Sequence, residues 1–382
     1  MSPLLRFVAL YALMYAAFGV SSPFLPAFFA GRGLAPEQLG MLLAAGTAIR
    51  LVSGPLCGRL ADLVRALRAV LAACAALAAL VALGLVSATG FPALLAVSVL
   101  HAAALAPITT LADALALAAA APRAAGARFE YGWVRGTGSA VFVAGTLASG
   151  LAVGAWGLTS IVVVHAALLL AAAGATVLVP APGRPAAVGR VPATGVVELL
   201  RTPVFRRVML VSALVLGSHA MHDAFAVIRW SAAGITPALA SVLWAESVAA
   251  EVVVFFLLGP ALVGRLGPAG VVALAAGAGA LRWVVMAWTT DVTALALVQP
   301  LHGLTFAALH LACMRLIAAS VAPHLAATAQ AMYALGAGAT TALLTLASGQ
   351  LYASLGPRGF LVMALLCAVV PPMTRGLASA RR

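Results

Sequence analysis

"APGRPAAVGRVPATGVVELLRT" (181–202) is the one long polar stretch in a chain of 382 residues, and the fold is read outward from it. On both sides the sequence is almost continuously apolar: 64% of the residues are hydrophobic, 8% are charged, and the mean hydropathy is +1.13. A soluble domain carries about a quarter charged residues, so the composition indicates an integral membrane protein. Apolar runs of about 20 residues suit membrane-crossing helices, and the ten-residue alternating segments of a transmembrane barrel are absent. Breaks at polar or Gly/Pro clusters place spans near 4–30, 38–58, 68–88, 92–120, 131–153 and 158–180 before the polar stretch. After it they fall near 204–232, 238–262, 268–290, 292–319, 326–352 and 357–375. The expected fold class is therefore an all-α membrane protein with twelve transmembrane helices in two six-helix bundles, 1–180 and 204–382. The loop 181–203 joins them on the cytoplasmic side.

All 22 basic residues are arginine, and the net charge is +13. Their distribution speaks for topology rather than for nucleic acid. Loops on the side of both termini carry sixteen: Arg6, Arg59, Arg65, Arg68, Arg123, Arg128, the five from Arg184 to Arg207, Arg265, Arg315, Arg375, Arg381 and Arg382. The opposite loops carry Arg32, Arg229 and Arg358. The positive-inside rule then puts both termini in the cytoplasm. The first apolar stretch is too long for a signal peptide and lacks a clear cleavage site, so it is read as an uncleaved span. Cys57, Cys74, Cys313 and Cys367 are single and form neither a metal spacing nor a disulfide framework.

"TLASG" occurs at 146–150 and again at 345–349, each time after a Gly-x-Gly (136–138 and 336–338). "GRLAD" at 58–62 is echoed by "GRLGP" at 264–268. These offsets set span five on span eleven and the loop after span two on the loop after span eight. Parallel halves with a substrate site between them at mid-membrane are a known transporter architecture. In "YGWVRGTGSAVFVAGTLASG" (131–150) two stripes of small residues are expected to pack helices closely: Gly132, Gly136, Ser139 and Val143, and Gly138, Gly145 and Ser149.

The loop "GRLADLVRALR" (58–68) resembles the loop between spans two and three of the major facilitator superfamily: Gly58, Leu60, Ala61 and Asp62 match, while Arg65 stands at the later glycine position. The resemblance implies a conformational latch for Asp62, capping a neighbouring helix end. A closer likeness covers nearly the whole chain. "TLADALA" (110–116), "YGWVRGTGS" (131–139), "WAESVAAEV" (244–252), "LRWVVM" (281–286) and "LHGLTFAALHLACMRLIA" (301–318) are similar to the 3-phenylpropionic acid transporter family. That branch is allied to lactose permease and the nucleoside–proton symporters. The resemblance implies the major facilitator fold and proton-coupled uptake across a bacterial inner membrane.

Ionisable groups inside spans are costly and face a partner or a cavity, so each is a candidate. Asp113 and Arg135 lie at similar depths on adjacent antiparallel spans and could form a structural or gating ion pair. Arg135 could instead touch substrate, as its counterpart does in symporters of the lactose permease type. Arg50, near the middle of span two, either neutralises a carboxylate or binds an anionic substrate. Arg282 stands where the related symporters place an arginine beside the proton site, and with Arg50 it would attract the carboxylate of an acidic substrate. Glu251 matches the family motif and is the expected proton carrier or substrate contact, in preference to a static pair with Arg282. Glu246 sits some 140° from it around the helix, lining the cavity or nearer the periplasmic edge.

His302 and His310 can both face the cavity as proton relays, with His310 the deeper. Arg315 reads as an interfacial anchor. In "GSHAMHDAF" (217–225), His219 and Phe225 match the family, whereas His222 and Asp223 stand where aromatic residues are expected. His219, His222 and Asp223 occupy i, i+3 and i+4 on one face and would make the cavity polar, which favours a polar substrate over an aryl acid. No third-ligand spacing supports a metal there. Pro23, Pro26, Pro107 and Pro300 interrupt helices that would bend during transport. Trp230, Trp244 and Trp288 sit where an outer aromatic belt or the upper cavity would be, and the belt is preferred.

The reading is a secondary transporter, not an enzyme, that takes up a small organic solute (aromatic acid, nucleoside or sugar-like) by proton symport and alternating access. Its expected partners are substrate, protons and the lipid bilayer; no cofactor and no nucleic acid is expected, and the chain is expected to be a monomer. Drug–proton antiport is the rival, disfavoured because span five has the glycines of an antiporter motif but no proline. A membrane sensor or lipid-modifying enzyme would need a signalling domain, phosphate loop or nucleophile–base cluster.

Overall fold

A computed structural model describes residues 2–120, 129–180 and 194–378, and every regular element among them is helical. Arg123, Arg128, Arg184, Arg190, Arg381, Arg382 and the polar stretch up to residue 193 lie outside the described residues. Helix is the expected outcome for apolar runs in lipid, because it satisfies every backbone N–H and C=O within the segment. The main helices are α1 (Pro3–Ser21), α2 (Pro36–Val64), α3 (Leu67–Ser87), α4 (Gly90–Ala120), α5 (Tyr131–Trp156) and α6 (Thr159–Ala175). They continue with α7 (Pro203–Gly217), α8 (Ala220–Ala232), α9 (Pro237–Val253), α10 (Gly259–Trp288), α11 (Val292–Val298), α12 (Leu309–Ser320), α13 (Ala326–Leu355) and α14 (Phe360–Ala368).

Ten helical stretches among the described residues are long and apolar enough to cross a membrane. Two of them, Pro237–Trp288 and Pro323–Met373, run 52 and 51 residues, far more than the roughly 20 that one crossing needs. Each contains a break. Gly267 takes φ 69° and ψ 163° just before Pro268, and Gly356 takes φ 56°. Positive φ is open to glycine at little steric cost, and the proline cannot supply the next helical N–H. Both breaks fall in the gaps read from the sequence, between 262 and 268 and between 352 and 357.

The helices gather into two compact units. The first comprises Met1–Leu34, Ala45–Ala187 and Thr236–Val242; the second comprises Ala35–Ala44, Val188–Ile235 and Leu243–Arg382. Inside the first, α1 packs on α5 and α6, and α3 packs on α4 and α6. Inside the second, α7 and α8 pack on α13, and α10 packs on α12 and α14. In each unit, then, the opening helix lies against the helix that carries "TLASG".

Only one of the two small-residue stripes in α5 serves that packing. A Cβ on Gly138 would sit 2.9 Å from the Tyr15 ring, and one on Gly145 would sit 2.8 Å from the Ala16 carbonyl oxygen, so α1 and α5 approach closely there. Thr146 Oγ1 donates to the Gly19 carbonyl at 3.2 Å across the same contact. Gly132 and Gly136 have nothing within 4 Å of a Cβ, so the other stripe is not a packing surface. At the end of α3, Arg32 donates to the carbonyls of Val86 (2.9 Å) and Ala88 (3.1 Å), where a cation suits the negative end of the helix dipole.

Candidate functional site

The candidate site lies in the second unit, where three stretches of helix depart from regular geometry. The α7–α8 run is interrupted at Ser218 and His219. The helix after Glu251 widens into a π segment at Val254–Leu258. After α11 the chain makes a 3-10 turn at Gln299–Leu301 around Pro300, then a second π segment at Leu304–Ala308. Gly303 lets these irregular stretches meet, since a Cβ there would lie 2.6 Å from the Ala250 carbonyl oxygen. Such turns recur at functional sites because they change which side chains share a helix face.

Arg282 of α10 is the hub, with no exposed surface. Its Nε and Nη2 donate to Gln299 Oε1 at 3.2 and 2.5 Å. Nη1 donates to His302 Nδ1 at 3.0 Å, and Nη2 also donates to His222 Nε2 at 3.3 Å. The guanidinium carbon lies 4.6 Å from the Trp283 ring centroid. A lone arginine at mid-membrane costs about 2.5–3.5 kcal/mol on insertion scales, and hydrogen bonds to a charged group contribute about 1.5–3 kcal/mol each. These contacts are therefore enough to hold it.

One consequence concerns the protons on the histidines. A guanidinium is always protonated and only donates. His302 Nδ1 must then accept, which places the ring proton on Nε2, 2.7 Å from Glu251 Oε1. His222 Nε2 must also accept, from Arg282 and from Gln299 Nε2 at 3.4 Å, which places its proton on Nδ1, 3.2 Å from Asp223 Oδ1. One cation thus fixes two neutral histidines in opposite tautomers, and each hands an N–H to a carboxylate. With both carboxylates ionised the cluster carries one positive and two negative charges; a single added proton makes it neutral.

The surrounding contacts hold this arrangement in register. His219 Nδ1 lies 3.0 Å from the Val215 carbonyl oxygen, so its Nε2 accepts from Thr305 Oγ1 at 2.8 Å. Trp283 Nε1 donates to Ser218 Oγ at 2.8 Å. His222 stacks on Trp244 at 4.9 Å between ring centroids and also meets Trp230.

Several sequence expectations are corrected here. His219 and His222 are buried, at 5% and 2% exposure, and their ring nitrogens are engaged, so they do not make a polar cavity wall with Asp223. The interruption at Ser218–His219 is the reason: His219 precedes α8, and its ring turns to Thr305 instead. Phe225 is buried and stacked on Tyr352 at 4.3 Å. His310 stays outside the network, between the rings of Phe255 and Tyr333. The π segment between it and His302 breaks the 100° per residue spacing that put both on the cavity side of one helix. Glu246 is half-buried, with no side-chain partner among the described residues. Trp230 and Trp244 belong to the buried cluster, while Trp288 is 65% exposed, as a belt residue would be.

The first unit holds the other candidates. Asp113 accepts from Tyr11 Oη at 2.5 Å and from Tyr131 Oη at 2.8 Å. Arg135 lies over the Tyr15 ring, 5.1 Å from its centroid. The expected Asp113–Arg135 ion pair is absent among the described residues: two tyrosines satisfy the carboxylate, and an aromatic face takes the cation. Asp62 is exposed and has no side-chain partner among the described residues, so the expected helix cap is not made. Arg50 likewise has no hydrogen-bond or ion-pair partner there; it faces a cavity of about 250 Å³ lined by Phe18, Leu105, Ala106 and Thr109.

Gln299, Thr305 and Ser218 escaped the sequence reading, as did Tyr11 and Tyr131. Gln299 was within reach, because an amide beside Pro300 in the apolar run "ALVQPLHG" (296–303) needs a partner. The buried pair His101 and His165 was missed as well.

Comparison with known proteins agrees with this architecture. The MFS_1 like family model matches residues 4–362. The chain is 31% identical over 374 residues, 94% of each chain, to a "Probable 3-phenylpropionic acid transporter" of Escherichia coli (strain K12). A crystal structure of a point mutant of the nucleoside transporter NupG superposes with a TM-score of 0.85 at 17% identity, covering 100% of both chains. A bacterial homolog of the human lysosomal transporter Spinster superposes at 0.76 with 15% identity, over 99% of this chain and 96% of the other. At those identities the solved structures establish the major facilitator fold. This multi-pass, all-helical membrane protein belongs to the MFS_1 like family of major facilitator transporters, and it is not an enzyme.

Proposed function

We propose that the chain crosses a bacterial inner membrane twelve times, with both termini cytoplasmic, and imports a small organic carboxylate together with protons by alternating access. The observation that carries the proton part is the Arg282–His302–Glu251 link. Because Arg282 occupies His302 Nδ1, an incoming proton goes to a carboxylate, and Glu251 is the acceptor at the end of that link. Protonation neutralises Glu251, frees Arg282 from half of its counter-charge and loosens the cluster, which lets the surrounding helices rearrange.

The carboxylate part rests on Arg50. It is a guanidinium in a cavity whose other walls are Phe18, Leu105, Ala106 and Thr109, and among the described residues no carboxylate pairs with it. A cation facing mostly apolar walls suits an aryl or alkyl acid that brings its own negative charge. Burial of His219 and His222 removes the polar wall that favoured a nucleoside or sugar. The name of the Escherichia coli relative, a probable transporter of 3-phenylpropionic acid, points the same way.

The test is uptake into proteoliposomes under an imposed proton gradient, screened over aryl acids, nucleosides and sugars. Accumulation of an acid that collapses with the gradient is expected. Indifference of all substrates to the gradient would overturn symport, and gradient-driven uptake of nucleosides alone would overturn the carboxylate assignment.

A further inference from the structure

We propose that His101 and His165 form a proton-binding site within the first unit, holding one extra proton between their facing Nε2 atoms. His101 lies on α4 and His165 on α6, and both are buried, at 6% and 3% exposure. His101 Nδ1 is 3.0 Å from the Ala78 carbonyl oxygen of α3, and His165 Nδ1 is 2.8 Å from the Ala17 carbonyl oxygen of α1. The two Nε2 atoms are 3.3 Å apart.

Counting protons decides what this geometry holds. A carbonyl oxygen only accepts, so both Nδ1 atoms must carry hydrogen. A neutral imidazole has one N–H, so two neutral rings would turn two bare Nε2 lone pairs towards each other at hydrogen-bond distance. Moving either hydrogen to Nε2 repairs that contact but sets a bare Nδ1 against a carbonyl. Either way one buried polar contact is unmade, at a cost of about 1–3 kcal/mol. One added proton satisfies all three contacts, and the pair then carries a single positive charge, an imidazolium donating to an imidazole. A second added proton would set N–H against N–H, so the capacity is one.

Among the described residues, the neighbours supply no competing acid or base. Arg50 of α2 is the charged group that acts on both rings, and its positive charge opposes any charge on the pair, the first as well as a second. On α1, Tyr11 is engaged by Asp113, and Tyr15 lies under Arg135. Cys74 of α3 stands one turn before Ala78 and is buried. Asp113 lies twelve residues along α4 from His101, about 18 Å of helical rise away. A cavity of about 10 Å³, lined by both histidines with Ser21, Leu25, Ala82 and Ile161, has room for about one water to deliver the proton. No residue of this pair belongs to the Arg282 cluster.

The experiment is solid-state NMR of the full chain, labelled with nitrogen-15 at histidine, in lipid bilayers between about pH 5 and pH 8. The expected result is one Nε2–Nε2 correlation, with three ring N–H protons shared by that pair, and its loss in His101→Gln. Two rings that keep two N–H protons between them across the whole range would overturn the proposal, as would absence of any Nε2–Nε2 correlation. The wild-type spectrum decides the matter even where the variant fails to fold. No substrate is needed, so the result stands apart from the transport reading.

Discussion

In the second unit His222 and His302 each meet a guanidinium; in the first, His101 and His165 each meet a backbone carbonyl. Arg282 can only donate, so its histidines stay neutral and pass their N–H groups to Glu251 and Asp223. Carbonyls can only accept, so the other pair lacks a proton until one is added. The same side chain in similar burial is therefore a fixed bridge in one place and a proton holder in the other. The fixed partner, not the histidine, sets the role.

The largest expected effect is at Glu251. Glu251→Gln is expected to lose gradient-driven accumulation while keeping substrate exchange, whereas Asp113→Asn, in the first unit, is expected to keep accumulation. Full accumulation by Glu251→Gln in proteoliposomes would move coupling elsewhere. Next is stability. Arg282→Met strands Glu251 and its histidine partners, with an expected loss of about 3–5 kcal/mol in unfolding measurements. Replacing His101 and His165 together by leucine removes both partners of the ring–ring contact, and the Ala78 and Ala17 carbonyls lie within helices, so a loss below about 2 kcal/mol is expected. Equal losses would mean that the two clusters are held alike.

Arg50→Gln sharpens the substrate assignment. It should raise the apparent KM for a carboxylate by about tenfold or more, equivalent to about 1.4 kcal/mol, with thermal stability unchanged. An unaltered KM would place the anion site elsewhere. Smaller still is the interaction between Asp113 and Arg135. Because they do not pair, Asp113→Asn and Arg135→Gln are expected to add within about 0.5 kcal/mol in a double-mutant cycle. Recovery of transport in the double variant would restore the ion pair. The smallest effects separate the two stripes of α5: Gly136→Ala should be stabilising by about 0.5–1 kcal/mol, whereas Gly145→Ala should be destabilising, because its methyl meets the Ala16 backbone.

The candidate site was legible one residue at a time. Glu251, Arg282, His222, Asp223 and His302 stood out because an ionisable group in an apolar run needs a reason to be there. Their pairing was not legible. Helical spacing put His219, His222 and Asp223 on one face, but the interruption at Ser218 turned His219 away. It also set His310 and His302 towards one cavity, and the π segment at Leu304–Ala308 changed their relative direction. Asp113 and Arg135 looked complementary by charge and depth. Yet Tyr11, Tyr131 and Tyr15, ordinary residues in an apolar helix, took both of them. The repeat was half legible: "TLASG" marks the helix that meets the opening helix of each unit, but of its two leading glycine stripes only Gly138 and Gly145 reach α1.

By itself the sequence determined that this is a helical membrane protein, where its apolar stretches begin and end, and which groups are out of place in them. Those properties follow from partition between water and lipid and from helical hydrogen bonding, both of which act within a segment. The tertiary structure alone decided which out-of-place groups meet. In lipid the helices are apolar around most of their circumference, so no hydrophobic face fixes their rotation. Rotation is set by close backbone approach at Gly145 and Gly303, by the Tyr15 ring against Gly138, and by local breaks at Ser218, Pro300 and the π segments. Only once these are in place does Arg282 find two histidines, and two other histidines find each other.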